Sequence, residues 1–236
     1  MRRYKIFCGL AVFFFVLFIF WHLFTLRTMP KDMSFIGPML VTVAGDSLHG
    51  FLYLAMELLM LLQILPSVNE QWLVRVTRKA YWIDAWKSML LSAVVFCSIF
   101  CTTELICVAA FISDSALWDS GYLMVWVFFW FRMVCVYMVM NGVFALMYSL
   151  LWRKETAAVL CVVLHMIVAY VIADRWNLGE LYYIGDLEIY GEYYMGGGLD
   201  FMQYGFRTAK HLLMAGLLYL ISLSIFEKRD VLDDKK

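Results

Sequence analysis

Six stretches of the 236-residue chain are apolar over nearly their whole length, with polar residues gathered in the segments between them. They fall at about 6–26, 48–67, 89–112, 122–151, 157–173 and 211–226. A helix needs about 20 mainly apolar residues to cross roughly 30 Å of hydrocarbon. The pattern predicts an all-α membrane protein with six transmembrane helices, forming one domain over 1–236. The fifth and sixth runs are short. The first run follows Met1-Arg2-Arg3-Tyr4-Lys5, as a signal peptide would. A signal core is only about 7–15 residues long. Residues 6–26 exceed that and no small-residue cleavage pattern follows, so this run is expected to stay as the first span.

Composition adds weight to the membrane reading. The chain is 64% apolar and 16% charged, with a mean hydropathy of +0.78. A soluble domain carries about 25% charged residues, so too little polar surface is present to face water on all sides. Net charge is zero and no basic run exists, which removes nucleic acid from the candidate partners. Cys8, Cys97, Cys101, Cys107, Cys135 and Cys161 all lie in apolar runs without a C-x-x-C pair, and read as small apolar side chains.

Lysine and arginine accumulate on the cytoplasmic side of membrane proteins. With the N-terminus inside, the inner segments carry 13 of the 19 basic residues and the outer segments 5, with Arg132 left within the membrane. Both ends are therefore expected in the cytoplasm.

Two connecting segments stand out. The inner one, 69–87, reads NEQWLVRVTRKAYWIDAWK. Trp72, Val76, Lys79 and Ile83 recur at helical spacing, which predicts a short amphipathic helix along the membrane surface. A lipid-headgroup anchor is the plainer use of its basic and aromatic residues. The outer one, 174–210, is too long for a passive connection and rich in Tyr, Trp and Leu. It is expected to pack on the outer leaflet, with Gly196-Gly197-Gly198 allowing a sharp turn between two halves.

Glu57, Glu104 and Arg132 fall inside the second, third and fourth runs. Counted inward from the outer ends, each lies about 12–15 Å deep at roughly 1.5 Å per residue. Charges at that depth cost several kcal/mol unless they meet a partner or water. The expectation is one polar layer, with a Glu104–Arg132 ion pair and Glu57 beside it, serving either helix register or the handling of substrate or protons. His22, His49 and His211 are expected near outer span ends and His165 within the fifth span. No metal site is expected from their spacing. H-E-x-x-H, G-x-S-x-G and G-x-x-x-x-G-K-[ST] are all absent, so the chain is not expected to hydrolyse ATP or act as an enzyme. Asn141-Gly142 is a candidate bend in the fourth span.

This layout resembles the permease subunits of ABC transporters of the type-2 exporter class. The likeness rests on six spans with a cytoplasmic helix between the second and third, on the long outer segment before the sixth, and on the ending Phe226-Glu227-Lys228-Arg229-Asp230. The resemblance implies a coupling helix carrying Glu70, Arg75, Arg78, Lys79, Tyr81, Trp82 and Lys87, seated in a separate cytoplasmic ABC ATPase dimer that holds ATP and Mg. It implies a second permease subunit, identical or related, and a bacterial cytoplasmic membrane location. It also implies an outer re-entrant gate that includes Tyr182, Tyr183, Tyr193, Tyr194, Gly196, Gly197 and Gly198. The family's surface helix before the first span has no counterpart in the five residues present here. The aromatic and acidic outer segment suits export of a peptide or amphipathic compound. Two other readings stay open: a non-transporting sensor or immunity protein that binds a peptide with its outer loop, and an intramembrane enzyme using Glu57, Glu104 and His165.

Overall fold

In a computed structural model of the chain, the described residues are 2–28, 48–66, 78–111, 121–168, 171 and 184–228. Among them the structure is helical and contains no strand. The elements are α1 (Arg2–Thr28), a π-helical stretch His49–Tyr53 running into α2 (Leu54–Ile64), α3 (Arg78–Phe111), α4 (Tyr122–Leu151) and α5 (Lys154–Val168). A 3-10 turn (Gly185–Leu187), α6 (Ile189–Met195) and α7 (Phe201–Lys228) complete the order.

Four helices, within α1, α3, α4 and α7, are long and apolar enough to cross a membrane. Two expected spans are shorter in the described residues. His49–Ile64 has 16 residues and α5 has 15. At about 1.5 Å per residue each reaches only ~24 Å, short of the hydrocarbon thickness.

α3 and α4 run antiparallel, with Tyr122 beside Glu104 at one end and Tyr148 beside Tyr81 at the other, whereas α1 runs parallel to α3 and α7 parallel to α4. The ends of α3 and α4 that face residues 112–120 define the distal end of the bundle; the opposite end is proximal. Tyr4 and Phe226, near the two ends of the chain, both lie proximally: Tyr4 against Asp84 and Lys87, and Phe226 against Trp82.

α4 is the central element, with 17 of its 30 residues buried and α7, α5 and α3 packed around it. α1 buries Phe7, Phe14 and Phe18 on one stripe, where seven- and four-residue steps return to the same face. Its opposite face exposes Phe13, Phe20 and Phe24, and α7 likewise exposes Met202, Phe206 and Leu213. Apolar faces this large and continuous are what lipid contact requires.

The proximal end is closed by aromatic stacking. Phe226 lies flat against Trp82 at 4.6 Å, Trp152 at 5.0 Å and Tyr81 at 5.3 Å between ring centroids. Trp152, between α4 and α5, adopts φ 61°, a left-handed conformation uncommon for a side chain of this size. Basic side chains occupy carbonyls exposed at helix C-termini. Arg78 donates to Glu227 O at 2.7 Å, and Lys154 to Leu62 O at 3.1 Å.

This arrangement changes the expected coupling helix. Residues 69–77, including Glu70 and Arg75, lie outside the described residues. Residues 78–87 are not a separate surface helix but the first turns of α3, which continues unbroken to Phe111. Tyr81 and Trp82 are fully buried rather than offered to a partner, and Arg78 is engaged with α7. Lys79 and Lys87 remain exposed, Lys87 in an ion pair with Asp84 at 3.1 Å. Periodicity misled because a surface helix and the end of an over-long span share the same mixture of basic and aromatic residues.

The fourth span is helical through Asn141 and Gly142. Gly142 serves close approach instead of a bend: a Cβ there would stand 2.9 Å from Leu218 Cβ of α7. The sixth span begins earlier than expected, at Phe201, so residues 201–210 are helix and not loop. Asp200 starts it by accepting hydrogen bonds on Oδ1 from the main-chain N–H groups of Met202 and Gln203, at 2.9 and 3.1 Å.

Candidate functional site

The three intramembrane charges are all fully buried, yet they do not form one layer. Glu104, near the distal end of α3, accepts a hydrogen bond from the Tyr122 hydroxyl at 3.2 Å. Glu57 accepts one from Asn141 Nδ2 at 3.1 Å, and its main-chain carbonyl accepts one from Ser92 at 3.4 Å. Ser92 and Glu104 are twelve residues apart on α3, so the two carboxyls differ in depth by about 18 Å. The depth count erred because it took residue 48 to be level with the outer end of α3. His49 instead packs on Phe100, well short of Phe111.

Arg132 points away from both glutamates. Its guanidinium donates to Asp186 O at 2.9 Å and Tyr204 O at 3.1 Å, and it lies 4.2 Å from the centre of the Tyr204 ring. Among the described residues no ion pair joins Arg132 to Glu104. The expected pair is replaced by main-chain carbonyls that take up the two terminal nitrogens and by an aromatic face, while Nε has no hydrogen-bond partner among the described residues.

Asp186 is the centre of the distal site. Lys210 makes a direct ion pair with its carboxylate, His211 Nε2 lies 3.0 Å from Oδ2, and Arg207 Nε lies 3.6 Å from Oδ1. Arg207 also pairs with Glu192 of α6. Burial by itself pushes the Asp186 carboxyl up. Hydrogen bonds and positive charge from His211 and Lys210 outweigh it, and hold the group below the ordinary carboxylate range. The network ties the 3-10 turn and α6 to α7, and Arg132 ties the same turn to α4.

Helical geometry explains the convergence. Arg207, Lys210 and His211 fall at i, i+3 and i+4 on α7, and so project from one face. Lys210 and His211 were visible in the sequence only as charges flanking the sixth run. Their three-four spacing was the available signal, hidden once 201–210 was read as loop.

The outer-gate residues divide. Tyr182 and Tyr183 lie outside the described residues. Tyr193 and Tyr194 are half-buried on α6, their rings edge to face at 4.9 Å. Gly196, Gly197 and Gly198 make the expected turn, here between α6 and α7. Gly197 has φ 82° and Gly198 φ 137°, which disfavour any side chain. His22, His49 and His211 are buried.

At the proximal end, a cavity of about 320 Å³ opens between α1, α2 and α3. It is lined by Tyr4, Ile64, Pro66, Asp84, Lys87 and neighbouring residues. Among the described residues, no group of three or more His, Cys, Asp and Glu side chains is placed to hold a metal ion. No protein-family model, curated protein or solved structure matches the chain.

Proposed function

We propose that this chain is the six-crossing permease subunit of an ATP-driven ABC exporter, powered by a separate ATPase, with the segment around α6 as its distal gate. The observation that carries the reading is the Asp186 network. A short helical segment lies across the distal end of the bundle and is held to α7 and α4 by reversible polar contacts. Breaking those contacts would let the segment move without unfolding a span. Tyr4 and Phe226 both lying proximally accords with six crossings, with the 16-residue His49–Ile64 helix and α5 as the short ones. ATPase docking is assigned to the proximal end around Lys79, Asp84 and Lys87, beside the open cavity, together with residues 69–77. The exported compound would be a peptide or amphipathic molecule, in keeping with the tyrosines and carboxylates of the distal segment.

The test is co-purification of the full chain with a nucleotide-binding subunit, followed by ATP hydrolysis in proteoliposomes with amphipathic peptides added. Stimulated hydrolysis is expected, and the double variant Lys79→Glu/Lys87→Glu should lose the ATPase. Full assembly and stimulation in that variant would remove the docking assignment.

A second reading draws on the same network. A segment fixed by several ion pairs also suits a sensor or immunity protein that offers a rigid peptide-binding face. Peptide binding without any associated ATPase would favour it.

A further inference from the structure

A second set of buried polar groups runs through the interior, apart from the distal ion network. Glu57 is fully buried in α2. One of its carboxyl oxygens accepts from Asn141, and the other has no hydrogen-bond partner among the described residues. Asn141 spends its Nδ2 on Glu57 and on Met89 O at 3.2 Å, leaving its own Oδ1 without a donor. Both atoms are hydrogen-bonding groups held out of water.

Titratable neighbours of Glu57 come from α3, α4 and α5. Cys97 of α3, Tyr137 of α4 and Cys161 of α5 lie within its electrostatic reach. The Tyr137 hydroxyl is 3.3 Å from His49 Nδ1, and His49 Nε2 has no partner. His49 and His22 both pack on the Phe100 ring, with centroids at 5.5 and 5.2 Å, and neither nitrogen of His22 has a partner. One turn beyond Phe100 stands Glu104 with the Tyr122 hydroxyl. Glu57, His49, His22 and Glu104 are each no more than 1% exposed.

Among the described residues no cation pairs with Glu57. Arg132 serves the opposite side of α4, and Lys154 is bound to Leu62 O at the proximal end. A carboxylate with one amide donor and no counter-charge is costly inside a bundle, while the neutral acid is tolerated.

We propose that Glu57 is a proton-binding site in the bundle interior. The step is protonation alone: a proton adds to the carboxyl oxygen that lacks a donor, and leaves from it. This assignment stands whether or not the chain belongs to an ATP-driven transporter.

Infrared difference spectra of the full chain in lipid vesicles provide the test. Wild type is expected to show a carboxylic acid carbonyl band that is absent in Glu57→Gln, whose amide preserves the contact with Asn141. The band should vanish as pH rises and shift on transfer to heavy water. An absent band would mean an ionised carboxylate and overturn the proposal. A band that neither titrates nor exchanges would mean a fixed structural acid, with the same consequence. Loss of the band on adding sodium at constant pH would replace the proton with a metal cation.

Discussion

The Arg132 guanidinium, fully buried on α4, donates to the main-chain carbonyl of Asp186 at 2.9 Å. This bond joins the central helix to the segment that crosses the distal end, and places the Asp186 carboxylate among Lys210, His211 and Arg207. A membrane arginine is used here to anchor backbone, so the residue that matters opposite it is the one that turns the chain.

Arg132→Leu removes two hydrogen bonds and takes the guanidinium donor from Asp186 O, while Tyr204 O keeps the bond from the Thr208 hydroxyl. The substitution is expected to lower stability in detergent by about 2–4 kcal/mol and to raise protease cleavage near Gly197. Arg132→Lys should rescue little, because an ammonium cannot span both carbonyls and the Tyr204 face. Limited proteolysis of the two variants side by side checks this.

Asp186 predicts a pH dependence with a defined sign. Its folded carboxyl titrates below the unfolded one, so its contribution is full above the unfolded value near 3.9. It is lost as pH falls through the depressed folded value. Acid should therefore loosen the α6 segment in wild type. Asp186→Asn should be less stable at neutral pH and flatter between about pH 5 and 2. Thermal unfolding across that range reads the difference.

Phe226 joins α7 to Tyr81, Trp82 and Trp152 at the proximal end. Phe226→Ala should cost about 3 kcal/mol by cavity formation, and Phe226→Leu appreciably less. Tryptophan emission should shift to the red in the alanine variant as Trp82 and Trp152 lose their neighbour. An unshifted spectrum would contradict the stacking.

Gly142→Ala should push α7 away from α4, since the new methyl would overlap Leu218. A loss of about 1–3 kcal/mol is expected. Leu218→Ala in the same chain should recover part of it, whereas Leu218→Ala alone should destabilise. Denaturant unfolding of the four-member set measures the coupling.

Much of the helical layout was legible in the sequence, because apolar runs bounded by charge report local solvent preference. The fourth run coincides with α4 at 122–151, the first and sixth lie within longer helices, and α3 covers the third from residue 89 to Phe111. The Gly196–Gly198 turn was legible for the same local reason, since only glycine is comfortable at the left-handed φ of Gly197. That Glu57, Glu104 and Arg132 needed partners followed from their residue type and position. Who those partners are did not. Depth counted along separate helices assumes a common starting plane, and His49 begins its helix level with Phe100. The face on which a side chain points is set by helix rotation, and that is decided by packing on neighbours far away in the chain. Rotation turned Arg132 towards Asp186 and Tyr204, sank Tyr81 and Trp82 beneath Phe226, and gathered Arg207, Lys210 and His211 around one carboxylate.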